Sequence, residues 1–173
     1  MGFEQYHEPA AELSAETRTF ARMIASLTEE AEAINWYEQR MSLEADAQAK
    51  AIMANAQLEE FKHFGMDLEF LLRRKQQWRA ELKRILFTEG DIVEAGEEAE
   101  AIGWYAQRIA LEPDAEARAI MRNAQLEEFK HFGMDLEFLL RRTPRWREVL
   151  QGILFQPGDI IEHGDESEER ADE

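Results

Sequence analysis

The sequence predicts an all-α protein: two tandem antiparallel helical hairpins that form a four-helix bundle, each followed by a short third helix. Three observations predict it. The block NAQLEEFKHFGMDLEFLLRR occurs twice, at residues 55–74 and 123–142, an offset of 68. Its flanks return at the same offset: EEAEAINWYEQR at 29–40 becomes EEAEAIGWYAQR at 97–108, and WRAELKRILF at 78–87 becomes WREVLQGILF at 146–155. A fixed period of this kind marks a repeated supersecondary unit. Within each unit apolar residues recur every three or four positions over long stretches, the period of a helix with one buried face.

Each element has a local cause. Ser14 is placed to cap the first helix, with Glu12 and Glu16 near its positive end. Met23, Leu27, Glu30, Ile34, Tyr37 and Met41 then follow the spacing of a bundle seam. Glu30 sits where that seam should be apolar. LEADA around Asp46 separates this helix from the second, whose stripe of Met53, Ala56, Glu60, His63, Asp67 and Phe70 runs beside an apolar row of Phe61, Phe64, Leu68 and Leu71. Arg73 and Arg74 complement its negative end and lead into the third helix. The connection TEGDI at 88–92 is too short for a flexible linker, so the two repeats should pack together. In the second copy the seam reads Asp91, Ala95, Glu98, Ile102, Tyr105 and Ile109, with Glu98 the matching intruder. Pro113, within LEPDA, is consistent with a helix start there, and Arg141 and Arg142 close the long helix that follows. The organisation read from this is a first repeat over 1–90, a second over 91–160, and a disordered acidic tail over 161–173. In that tail the last twelve residues carry seven acidic groups against Arg170.

Composition narrows the function. The chain is 45% hydrophobic with ten Phe and four Trp, a globular composition. It has no apolar run near the ~20 residues of a membrane span, and no basic start followed by an apolar stretch that would suggest a secretory signal. With no Cys, disulfides, thiol catalysis, iron–sulfur ligation and Cys-ligated zinc are excluded, and a reducing cytoplasm fits. A net charge of −17 repels phosphate backbones and attracts cations, so a nucleic-acid surface is not expected.

The seam carboxylates carry the chemistry. A carboxylate on a buried stripe has to be paired, protonated or bound to a cation, because leaving it bare costs several kcal/mol. The two repeats supply Glu30 and Glu98 from their first helices, and Glu60 with His63 and Glu128 with His131 from their second. Residues three apart share a helix face, so each Glu-x-x-His can aim both ligands at one spot. Four carboxylates and two imidazoles match the ligand set of ferritin-like di-iron bundles, and such donors suit iron. One hairpin provides three of these ligands, so duplication completes the set. The first helices have diverged, with Asn35 becoming Gly103, Glu38 becoming Ala106 and Met41 becoming Ile109. Yet Glu29, Glu30, Glu32, Trp36 and Tyr37 recur as Glu97, Glu98, Glu100, Trp104 and Tyr105.

HEP at 7–9, LSAETR at 13–18, EEAEAINWY, NAQLEEFKH and LFTEG at 86–90 together resemble the encapsulated ferritin family, over roughly residues 7–90 and again 91–160. The resemblance implies a ferritin-like bundle with a ferroxidase centre, iron as the metal, and assembly into an oligomeric ring inside an encapsulin shell. By resemblance the iron ligands are Glu30, Glu60, His63, Glu98, Glu128 and His131. The metal-uptake residues are Glu29, Glu32, Trp36, Glu97, Glu100 and Trp104, and Tyr37 and Tyr105 lie near the centre. The tandem arrangement departs from the family's one unit per chain. The acidic end also lacks the short apolar targeting sequence of shell cargo.

The function expected is therefore Fe2+ oxidation by O2 at a di-iron centre built from both repeats, in iron detoxification or storage. The chain is expected to be a homo-oligomer, cytoplasmic or within an encapsulin compartment, with no membrane partner. Two other classes are carried beside it. One is a rubrerythrin-like or other di-metal oxidoreductase; the other is a non-catalytic assembly protein that binds divalent metal.

Overall fold

A computed structural model describes residues 8–92, 109 and 112–172. Among the described residues there are six helices and no strand: α1 Ala15–Leu43, α2 Ala47–Arg74, α3 Gln76–Ile85, α4 Ala115–Leu140, α5 Pro144–Ile153 and α6 Ile160–Asp172. The fold is all-α, as the periodicity predicts.

Ser14 caps the first helix as the sequence predicts, and two aspartates cap α2 and α4. Ser14 Oγ accepts from the Thr17 N–H at 3.0 Å, and Asp46 Oδ1 accepts from Gln48 and Ala49 at 2.9 and 2.8 Å, so the first donors of α1 and α2 are satisfied. On α4 the cap is Asp114, accepting from Ala117 N at 2.8 Å. Pro113 precedes the cap rather than opening the helix. Pro144 does occupy the first turn of α5, where its missing N–H is not needed.

The chain divides into two compact units, and neither coincides with a repeat. The first comprises Met1–Arg22 with Leu72–Arg142, the second Met23–Leu71 with Thr143–Glu173. In the first unit α3 packs on α4. Trp78 stacks on Phe129 at 4.8 Å and takes the edge of Phe20 at 5.4 Å. Gly133 lets the helices touch: a Cβ there would lie 2.9 Å from Leu82 Cδ2 and 3.0 Å from Ile85 Cδ1. In the second unit α5 meets α2 by the same device with the repeats exchanged. Phe61 stacks on Trp146 at 4.6 Å, and a Cβ on Gly65 would lie 2.7 Å from Leu150 Cδ2 and 3.0 Å from Ile153 Cδ1. The third helix of each repeat thus packs on the second helix of the other. Gly65→Ala and Gly133→Ala should each cost about 1–3 kcal/mol by overpacking, measured by chemical denaturation. An unchanged midpoint would mean that the facing side chains shift freely.

Each exchange is fastened by a carboxylate that the sequence analysis did not single out. Phe87 and Phe155 follow the last residues of α3 and α5 with φ of 64° and 67°. This left-handed stop normally falls to glycine and costs another residue about 1–2 kcal/mol. The Phe87 N–H donates to Glu137 Oε2 at 2.8 Å, and the Phe155 N–H to Glu69 Oε2 at 2.9 Å. Both glutamates are 0% exposed. Arg141 Nε donates to Glu137 Oε1 at 2.9 Å, and its other nitrogens reach the Gly90 and Thr88 carbonyls at 2.7 and 2.9 Å. A signal was present in both copies: one Glu inside the apolar run LEFLL.

The disordered acidic tail is corrected by α6. Residues 160–172 form a helix packed on α5. Asp159 Oδ1 caps it, accepting from Ile161 N at 2.8 Å. Ser167 is fully buried and donates to the His163 carbonyl, in a fit so close that a Cβ on Gly152 would lie 1.9 Å from Ser167 Oγ. Lys62 offsets part of the acidic charge by pairing with Glu168 and, at 3.4 Å, with Asp165. Charge composition misread this segment because its apolar anchor is a few small residues rather than a stripe. LFQPGDIIEHGDESE at 154–168 repeats LFTEGDIVEAGEEAE at 86–100 with the same offset of 68, so the tail is a further stretch of the repeat.

Candidate metal centre

Three of the expected ligands converge in the second unit. Glu30 comes from α1, Glu60 and His63 from α2, and one ligand atom of each lies within 4.8 Å of the others. α1 and α2 are registered nearby by Gln57, whose Nε2 donates to the Ile34 carbonyl at 3.0 Å and to Glu38 Oε2 at 3.2 Å. That amide is buried, so its two bonds fix which turns of the hairpin face each other. Glu60 Oε2 and His63 Nδ1 are 3.7 Å apart, with side chains 28% and 45% exposed. The i, i+3 spacing brings them together on the helix face, and their partial exposure leaves the ligand atoms accessible.

Electrostatically this cluster crowds its carboxyl groups together. Burial, followed by a hydrogen bond to Glu60 and the charges of Glu60, Asp67 and Glu29, pushes the Glu30 carboxyl up to about 7. Asp67, one turn beyond His63 on α2, is raised too, mainly by burial and despite a hydrogen bond to Ser26. Its Oδ2 is buried without a hydrogen-bond partner among the described residues. Crowded carboxylates that resist ionisation in the absence of metal are stabilised when a divalent cation replaces the proton. Oxygen and imidazole donors fit iron and other borderline to hard divalent ions. Asp67 lies on the same predicted stripe as Glu60 and His63.

The other predicted residues are placed as follows. Glu29 and Glu32 are exposed on α1, and Trp36 is 52% exposed, an aromatic ring at the surface rather than in the core. Tyr37 is half-buried, with the Arg40 guanidinium 5.7 Å from its ring centre. Glu128 and His131 lie exposed on α4 in the first unit. Glu97, Glu98, Glu100, Trp104 and Tyr105 lie outside the described residues.

With two acidic seam residues and a histidine assembled by a helical hairpin, the comparisons become decisive. The EncFtn-like family profile matches residues 5–89 and 91–157. The chain belongs to the EncFtn-like family. Two curated relatives agree with that membership. A ferritin-like protein of Thermotoga maritima is 41% identical over 95 residues, spanning 55% of this chain and 83% of its own. An encapsulated ferritin-like protein of Rhodospirillum rubrum is 42% identical over 95 residues, 54% of this chain and 68% of its own. A crystal structure of a protein from Nitrosomonas europaea is 45% identical, covering 50% of this chain and 96% of that one with a TM-score of 0.49. Each relative aligns with about half of this chain, while the EncFtn-like pattern occurs in it twice. No helix among the described residues is long and apolar enough to cross a membrane.

Proposed function

We propose that this EncFtn-like protein is a ferroxidase, oxidising Fe2+ to Fe3+ with O2 as electron acceptor, in iron detoxification or storage. The convergence of Glu30, Glu60 and His63 carries the reading. Fe2+ is the substrate. Bound as a pair, it supplies the electrons that O2 accepts; the protein supplies position and charge. Glu60 and His63 hold one ion from a single helix face, and Glu30 chelates or bridges once its proton has left. A di-iron centre takes six such ligands, and the second repeat carries the same three types as Glu98, Glu128 and His131. On this reading Tyr37 and Tyr105 have a hydrogen-bonding role toward the ligands. Glu29, Glu32 and Trp36, with Glu97, Glu100 and Trp104, draw cations toward it, which fits the exposure of the first three. Exposed Trp36, Leu43, Ile52 and Ile120 support homo-oligomer formation, since apolar surface of this kind is costly in water. The name of the Rhodospirillum rubrum relative is the support for association with an encapsulin shell.

Aerobic Fe2+ titration into metal-free protein tests the proposal. A fast phase breaking at about two iron per chain is expected for one centre in each tandem. A rate equal to the buffer blank would leave a non-catalytic divalent-metal binder, and faster turnover with peroxide than with O2 would favour a rubrerythrin-like enzyme.

Proton release gives a separate test. Glu30 ionises near 7 in the folded metal-free protein against 4.5 ordinarily. Its protonated form therefore favours folding below pH 4.5, and that contribution fades as pH rises through 7. Divalent-metal binding should release a proton near pH 6, and affinity should fall by up to about tenfold per unit below neutrality. Calorimetry in buffers of different ionisation enthalpy reads this directly. No proton release at pH 6 would mean that Glu30 does not ligate. Glu30→Gln should also make the metal-free protein less sensitive to pH between 4.5 and 7.

A further inference from the structure

A cavity of about 450 Å3 in the first unit has a polarity opposite to that of the chain. It lies where α2 passes into α3 and α4 runs alongside, and its lining includes Arg74, Lys75, Trp78, Arg122 and Gln125. None of its lining residues among those described is acidic, in a protein of net charge −17. Lys75 is half-buried, its Nζ 4.8 Å from the Phe20 ring centre and 6.0 Å from that of Trp78. Burial lowers its basicity and so does the charge of Arg122, while Glu16 works in the other direction. Two like charges held near each other in a hollow favour an anion between them.

The second observation is an unanswered donor. Gln125 is 8% exposed, and its Nε2 is buried with no hydrogen-bond partner among the described residues. A buried N–H2 left unpaired costs stability and usually has a reason. The first repeat gives the comparison. There the equivalent Gln57 gives its Nε2 to the Ile34 carbonyl and to Glu38, and position 106, the counterpart of Glu38, is Ala.

The repeat thus provides an internal control. At the offset of 68, Lys75 corresponds to Thr143 and Arg122 to Ala54. Arg145, the counterpart of Gln77, already donates to the Ala171 carbonyl at 2.9 Å. One copy holds the satisfied amide without the Lys75 and Arg122 cations; the other holds both cations and an amide donor with no partner among the described residues.

We propose that this cavity, lined by Arg74, Lys75, Arg122 and Gln125, binds a small oxyanion, a phosphate or a carboxylate group, with Gln125 Nε2 and the cations as donors. Arginine suits both chemistries through its paired N–H groups. The aliphatic and indole surfaces of Leu126 and Trp78 leave room for an apolar body attached to that group, in a volume typical of small-molecule sites.

Isothermal titration of the metal-free full chain tests this independently of any iron chemistry. Inorganic phosphate is the probe in one arm and malonate in the other, at low ionic strength. Saturable binding of at least one anion at one site per chain is expected, and the preferred arm identifies the source of the oxyanion. Arg122→Gln should weaken it about tenfold or more, the loss of one charge-assisted hydrogen bond. Arg122 is exposed, so folding should be preserved, and circular dichroism checks that. Arg145→Gln removes the same charge in the other unit and should leave affinity unchanged. Saturation by neither anion up to about 10 mM, an unaffected Arg122→Gln variant, or an equal loss in Arg145→Gln would each overturn the proposal.

Discussion

Glu60→Ala is expected to slow aerobic Fe2+ oxidation by about a hundredfold or more. Changing residues that merely support a metal ligand typically costs 10–100-fold in affinity or activity, and Glu60 is placed to be a ligand itself. It contributes to the cluster twice, through its own oxygen within 4.8 Å of Glu30 and His63 and through the hydrogen bond and charge that, after burial, raise the Glu30 carboxyl to about 7. Removing it should therefore also move the Glu30 carboxyl back toward the ordinary range. This gives a second readout, a smaller proton release on metal binding near pH 6. His63→Ala should lose comparable activity without that shift, since Glu60 would remain beside Glu30. The second repeat supplies the comparison. If Glu98, Glu128 and His131 complete the ligand set, Glu128→Ala should be as damaging as Glu60→Ala. Full activity in Glu128→Ala would show that the first repeat's ligands act without those of the second. Stopped-flow absorbance of Fe3+ formation measures all three variants, with melting curves to confirm that each is folded.

Glu137→Ala should cost about 3 kcal/mol of stability, a fall in Tm of about 6–12 °C for a chain of this size. Glu137 is fully buried, yet both of its oxygens are used, one by the Phe87 N–H and one by Arg141. Truncation leaves the Phe87 N–H without its acceptor at the left-handed residue that stops α3, and takes the anionic partner from Arg141. Each loss alone is worth about 1–3 kcal/mol. Glu69→Ala should act the same way through Phe155. Glu137→Gln keeps one oxygen acceptor and loses the charge, so a fall between those of wild type and Ala is expected. Equal melting of all three proteins would show that water replaces the carboxylate at no cost.

These two glutamates show where sequence reading stopped. Glu30 was legible as a candidate ligand because a lone carboxylate interrupts an apolar seam and recurs as Glu98. Glu69 interrupts an apolar run just as clearly, but its partner is a backbone N–H 86 residues away, and backbone donors have no signature in sequence. Asp67 was on the correct stripe, yet only packing shows that its Oδ2 is buried. The acidic end failed for a different reason. Seven acidic groups in twelve residues suggest self-repulsion and disorder, but Lys62 pairs with the segment, Gly152 leaves room for Ser167, and Gly164 lets the helix close on Met66.

By itself the sequence determined helices α1 to α5, the Ser14 cap, the duplicated unit and the residue types that meet at Glu30, Glu60 and His63. Those features depend on neighbours within a turn or two, or on a periodic face, and both are written locally. Only the tertiary structure decided that α3 packs on α4 and α5 on α2. The choice was hidden because residues 55–74 and 123–142 are identical, so each third helix is offered the same surface by either repeat. Geometry resolves it. Lys75 alone joins α2 to α3, fewer residues than the two to five of an antiparallel helical turn, which disfavours folding α3 back on α2. Residues 141–143 join α4 to α5, a length that permits either partner, so there the packing of Trp146, Leu150 and Ile153 on Phe61 and Gly65 decides.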